Sequence, residues 1–220
     1  MGQDQGVHGR DRLSGGQLMQ VRTARLVIRP LQRADVDAIA IWQPFADLVL
    51  ASYNLPDQSA KERDDWFALR AGDPTRREFA LEASGQVVGR ISLRDMDGHT
   101  SARLGISIGA EFVNHGLGAE ALTGFLDWYF DEGGFSVMAL DVSASNRRAV
   151  GLYQKLGFRH VMDLYRPVGD EAVVAFLDDP RYTDLRAYFR RQDGKTEALF
   201  YEMELSRQEW RETKEMRCHH

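Results

Sequence analysis

Two short segments carry residue types at spacings that can do chemistry. The first, VNHGLGAEAL from Val113 to Leu122, puts glycines at 116 and 118 just ahead of a helical pattern. A helix N-terminus offers unpaired backbone N–H groups and a partial positive charge, which suits a phosphate. Glycines there remove the β-carbons that would keep a pyrophosphate away. The same residues also suit an ordinary strand-to-helix turn, because short glycine patterns recur in many folds.

The second segment, NRRAVGLYQKLGF from Asn146 to Phe158, reads as an amphipathic helix stopped by Gly157. Asn146 and Tyr153 are seven residues apart and share one side after two turns. Asn146 is either an N-cap or a partner for a ligand amide or phosphate, and the two roles are compatible. Tyr153, a phenol with an ordinary pKa of about 10, is either a general acid for a leaving group or a core residue in line with Val150 and Leu156. Gly151 inside the helix costs about 1 kcal/mol against alanine, so a close neighbour such as a ligand is expected beside it. A phosphate cradle together with a proton donor suggests a nucleotide-bearing acyl donor.

The elements that must position these groups follow from periodicity. Residues 23–31 alternate as a half-buried strand, and 34–42 show helical spacing. Ser59 with Glu62 opens a second helix to Ala71 as a capping box. Arg77–Ala83 and Gln86–Asp95 form a hairpin about Ser84-Gly85, and a third strand, SARLGISIG, runs antiparallel to the second. The helix after the glycine turn should run from 116 to 130 and stop at Gly133-Gly134. VMALDV, residues 137–142, is nearly all apolar, as in a strand buried on both faces. It should lie parallel to the strand before the glycine turn, joined to it by a right-handed crossover. A helix over 147–156 and a strand over 158–163 follow, and 196–205 closes the sheet. Residues 166–195, with a helix from 180 to 191, break the alternation and read as an insertion before the last strand.

At 220 residues and 43% apolar, the chain can bury one sizeable core. We expect a single α/β (α+β) domain over 21–210, with a mixed, mostly antiparallel twisted sheet flanked by helices. Residues 1–20 are expected to be a disordered lead-in and 211–220 a flexible tail. The net charge of −5 disfavours a nucleic-acid binder and suits an amine-bearing substrate. The single cysteine, Cys218, rules out a disulfide within the chain and suits the cytoplasm. No apolar run is long enough to span a membrane. The six histidines lack ligand spacing, so no metal is expected.

At this point the sequence resembles the GNAT superfamily of N-acetyltransferases, most closely its ribosomal-protein N-terminal acetyltransferases. The resemblance covers Thr23 to Trp210 through RLVIRPL, GRISLRD, LGISIGAEF, GLGAEAL, NRRAVGLYQKLGF and FYEMELSRQEW. It implies acetyl-coenzyme A as cosubstrate and a primary amine as acceptor, on either a protein N-terminus or a small molecule. It further implies that the backbone of Ile106, Ser107 and Ile108 pairs with the pantetheine arm. The turn Val113, Asn114, His115, Gly116, Leu117, Gly118 and Ala119 would cradle the pyrophosphate. Asn146 would contact the cofactor, and Tyr153 would protonate the departing thiolate.

The sequence departs from the family pattern at three positions. Val113 and Asn114 stand where relatives often carry other residues, and Arg103 stands where many carry a glutamate base. Asp141 is then the best remaining carboxylate base, with Glu82 second and water-relayed deprotonation a third route. The insertion shapes the acceptor side, forms a homodimer contact, or is only decoration. A different reading keeps the cofactor but not the turnover: a non-catalytic acyl-coenzyme A sensor that contacts a protein partner.

Overall fold

The computed structural model describes residues 19–169 and 171–218, so most of the expected lead-in and Asp170 lie outside the described residues. Two short strands open the chain, β1 (Val21–Arg22) and β2 (Val27–Pro30), where one longer strand was expected. Helix α1 (Arg33–Ala40) follows, with a capping box between Gln32 and Asp35. A 3-10 segment (Leu48–Tyr53) precedes α2 (Ala60–Ala71), whose Ser59–Glu62 capping box forms as anticipated. Strands β3 (Arg77–Ala83), β4 (Gln86–Asp97) and β5 (Ser101–Ile108) form an antiparallel meander.

Helix α3 (Leu117–Asp127) crosses to β6 (Val137–Ser143), which pairs parallel with β5. The last turn of the crossover, Trp128–Glu132, is π-helical, so the regular helix ends earlier than expected. Helix α4 (Arg147–Leu156) leads to β7 (Arg159–Pro167). The final elements are β8 (Phe189–Gln192), β9 (Lys195–Ser206) and helix α5 (Arg207–Cys218). The sheet order is β1-β2-β3-β4-β5-β6-β9-β7, with β8 pairing to β9.

Four expectations are corrected. Strand β6 is not buried on both faces: Met138, Leu140 and Val142 enter the core, while Asp141 and Ser143 face the other way. Its run reads as continuous because the small apolar Ala139 sits on the polar side. Strand β9 does not close the sheet but lies between β6 and β7, because it pairs antiparallel with both. The expected helix 180–191 is a 3-10 segment, Pro180–Tyr188, kinked at Tyr182, after which Phe189–Gln192 joins the sheet. Residues 211–218 belong to α5 and not to a tail. Ser206 and Glu209 cap that helix, and fully buried Trp210 docks it by donating from Nε1 to Asp127 at 3.0 Å.

The main core joins one sheet face to α3, α4 and Trp210, with Phe125, Tyr129, Phe130 and Leu122 fully buried. A smaller cluster seats α1 and α2 on the opposite face through Val36, Ile39 and Trp66. A third joins the insertion (Val174, Phe176, Leu185) to Val49 in the 48–53 segment. These two loop regions therefore pack on each other over one end of the sheet.

Candidate active-site cleft

Parallel pairing between β5 and β6 runs from Ser101–Val137 to Leu104–Leu140 and then stops, although β5 continues to Ile108 and β6 to Ser143. Beyond Leu104 the strands diverge, which leaves one edge of residues 105–108 without a strand partner. A cleft of about 1070 Å³ opens at this split, large enough for a nucleotide-sized ligand. Ile106, Ser107, Ile108, Val113, Asn114, Gly116, Leu117, Gly118, Ala119, Asp141, Asn146 and Tyr153 all line it. Of the residues expected to bind the cofactor, His115 alone does not. Its carbonyl accepts from Arg25 Nη1 at 2.8 Å.

The glycine turn presents α3 end-on to the cleft. Gly116 adopts φ of +77°, a left-handed conformation that glycine takes without strain. Among the described residues no side chain caps this helix end, so its first-turn N–H groups are available to a ligand. Arg25 braces the turn from behind, donating also to Glu120 at 2.6 Å. Asn114, itself at φ of +67°, accepts from Arg148 Nη1 at 2.6 Å, tying the turn to α4.

Helix α4 forms the other wall. Asn146 Oδ1 accepts from Ala149 N at 3.1 Å as the N-cap, while Nδ2 makes a long 3.5 Å contact with the Tyr53 hydroxyl. One amide therefore does the capping and still faces the cleft. Tyr153 is buried, with its ring edge-on to Phe158 at 5.6 Å. Its hydroxyl makes no hydrogen bond among the described residues. Burial, reinforced by Tyr53 and the Asp141 charge, pushes the Tyr153 phenol well above its ordinary value, so it stays protonated throughout the usual working range. An ideal β-carbon on Gly151 would meet nothing within 4 Å. No protein atom is the close neighbour expected of this glycine, which borders the open cleft where a ligand has room.

Asp141 is heavily engaged. Its side chain is 9% exposed, and it accepts from Arg94 at 2.8 Å, Arg103 at 3.3 Å and Arg166 at 2.7 Å. Burial alone would raise its pKa, but the Arg166 hydrogen bond and the charges of Arg94, Arg166 and Arg103 hold the carboxyl below the usual carboxylate range. A carboxylate so held is a poor proton acceptor. Arg103 also reaches Glu202 at 2.9 Å. Glu82 pairs with Arg29 at 2.9 Å on β3 and does not line the cleft.

Sequence reasoning missed the floor of the cleft, Arg90, Ser92 and Arg94, and the aromatic residues Phe45, Tyr53 and Phe200 above and beside it. The signal was present for the first three: they alternate along β4, opposite buried Ile91 and Leu93. Among the described residues, no group of three His, Cys, Asp or Glu is placed to hold a metal ion, and no helix is long and apolar enough to cross a membrane.

Comparison with known proteins bears on this geometry. The family description "Acetyltransferase (GNAT) domain" matches residues 25–159. Spermidine N(1)-acetyltransferase of Escherichia coli (strain K12) is 26% identical over 132 residues, covering 60% of this chain and 71% of that protein. Spermidine N-acetyltransferase from Vibrio cholerae, solved in complex with CoA and spermine, superposes with a TM-score of 0.64 at 20% identity, covering 85% of this chain and 98% of that one. A GNAT-family acetyltransferase from Bacillus anthracis gives 0.60 at 15% identity, covering 86% and 99%. At such identities the structural likeness speaks for the fold alone.

Proposed function

We infer the reaction from one fact: this chain belongs to the GNAT acetyltransferase family. The proposed activity is transfer of acetyl from acetyl-coenzyme A to an amine of a small molecule. The curated relatives are named for spermidine, which favours a small amine over a protein N-terminus. The ribosomal-protein subgroup draws no support from them. The observation that carries the reading is the split between β5 and β6 opening beside an uncapped, glycine-led helix end.

In this reading the free edge of residues 105–108 hydrogen-bonds the pantetheine arm, and the first-turn N–H groups of Leu117, Gly118 and Ala119 hold the pyrophosphate. Arg147 and Arg148, both exposed at the start of α4, add charge at the phosphate end. Gly151 leaves room for the arm, and the Nδ2 of Asn146, held only by a long 3.5 Å contact with the Tyr53 hydroxyl, is a second donor. Main-chain N–H groups of the split edge polarise the thioester carbonyl as the amine attacks.

Tyr153 then donates its proton toward the departing sulfur. Because its phenol is held well above the ordinary value, its chief effect is a hydrogen bond to the developing thiolate in a site shielded from water. Deprotonation of the incoming ammonium is assigned to water held near Ser92 and Ser143, both in the cleft lining. The engaged Asp141 is not assigned that step. A cytoplasmic setting, where thiols stay reduced, suits a chain with one cysteine.

The test is thiol release from acetyl-coenzyme A across a panel of amines. Release should depend on the amine and increase as pH approaches the amine's own pKa, about 8 for α-amines and about 10.4 for lysine-like ones. Tight coenzyme A binding with no release from any amine would instead favour a sensor.

A further inference from the structure

The floor of the cleft carries an arginine that the protein itself leaves unengaged. On the β4–β5 ladder, Arg90 stands opposite Ser107, Ser92 opposite Gly105, and Arg94 opposite Arg103. Arg94 and Arg103 both point their charge into Asp141. Arg90 makes no hydrogen bond and no ion pair among the described residues. Its guanidinium lies 5.1 Å over the Trp66 ring, and the Glu78 carboxylate, which ion-pairs with Arg70 and Arg76 at 3.5 and 3.6 Å, supports the charge of Arg90 through space without bonding it. Burial works against the charge of Arg90, yet a guanidinium does not deprotonate in a protein. A half-buried cation lining a ligand cleft with its donors unpaired is poised to receive an anion.

The balance of charge along the cleft agrees. Arg90 and Arg94 on the floor and Arg147, Arg148 and Lys155 on α4 line it. Among the described residues only two carboxylates do, Asp57 and Asp141. The α4 cations belong to the phosphate end in the function proposed above. Asp141 is surrounded by three guanidinia, and Asp57 is exposed at the rim. A polycation such as spermidine would thus meet a guanidinium with open hydrogen-bond donors at the floor, supported only through space by Glu78, with one rim carboxylate among the described residues to offset it.

We propose that the acceptor is an amine that also bears a carboxylate, and that Arg90 receives this carboxylate as the determinant of specificity. This rests on the acetyltransferase reading and narrows its substrate class. The guanidinium fork matches a carboxylate with two parallel hydrogen bonds. Trp66 holds the fork in place from below, and Ser92 and Ser107 flank it on the same sheet face.

The test measures kcat/KM by thiol release for α- and ω-amino acids of two to six carbons, for the matching carboxamides, and for spermidine. The wild-type protein should favour acid over carboxamide by about tenfold or more, as expected for a charge-assisted hydrogen-bonded pair, and spermidine should be the poorer substrate. In Arg90→Gln that acid-to-amide ratio should collapse toward unity, and in Arg90→Lys it should be partly kept. The ratio is internal to each variant and is therefore insensitive to partial loss of folded protein. Carboxamides or spermidine used as well as the acids by wild type would overturn the proposal while leaving the transferase reading intact. Thiol release from no amine would overturn both.

Discussion

Replacing Gly151 should move stability and cofactor affinity in opposite directions. The residue lies mid-helix in α4, and an added β-carbon meets no atom within 4 Å. Gly151→Ala therefore introduces no clash and removes a helix penalty of about 1 kcal/mol. For a domain of this size, that raises Tm by about 2–4 °C. The same bond points into the cleft wall, where the pantetheine arm is proposed to lie. Gly151→Leu should keep a folded, stable helix while crowding the ligand. Overpacking of that kind costs about 1–3 kcal/mol, or about 5- to 150-fold in Kd for coenzyme A. Thermal denaturation reads the first effect, and calorimetric titration with coenzyme A reads the second. A destabilised Gly151→Ala would mean that the glycine serves the backbone or its packing. Undiminished coenzyme A binding by Gly151→Leu would mean that the ligand does not pass this wall.

Two further substitutions separate chemistry from structure. Tyr153→Phe keeps the ring packed against Phe158 and should lower kcat by about 100-fold with coenzyme A affinity unchanged; an unchanged kcat would remove the hydroxyl from the reaction. Asp141→Asn should lose about 3 kcal/mol at pH 7 in urea denaturation, because three guanidinia lose their buried counter-charge. The carboxyl is held below its ordinary range, so its stabilisation is fully present above the unfolded pKa of about 3.9 and fades as pH falls through the lower folded value. The variant should therefore lose less stability than wild type on acidification. A large fall in kcat without a fall in stability would instead restore Asp141 as the base.

The two segments that announced themselves in the sequence do converge on one cleft, because both rely on local rules. A glycine able to take positive φ before a helix, and an asparagine at an N-cap, are legible from a few neighbouring residues. The meander, the capping box at Ser59 and the parallel β5–β6 pair were legible for the same reason. What was hidden depends on contacts distant in sequence. Asp141 read equally as a base or as a paired structural charge, and only the arrival of Arg94, Arg103 and Arg166 from three other strands decides for the second. The β6 run gave no sign of facing a polar cleft, since Ala139 is apolar yet small enough for either side. The strand at 189–192 exists only because β9 offers it an edge, and its basic residues read equally well as a solvated helix face. Helix α5 was lost to its charged composition. Its one anchor, Trp210, finds its pocket and Asp127 across the fold.

In the proposed complex coenzyme A lies in the split between β5 and β6 with its phosphates on the uncapped end of α3. Amide hydrogen exchange with and without saturating coenzyme A tests it residue by residue. New protection is expected at 105–108 and at 117–119, with the exposed edge strand β7 unchanged. Tight binding that leaves both segments exchanging as in the free protein would contradict it.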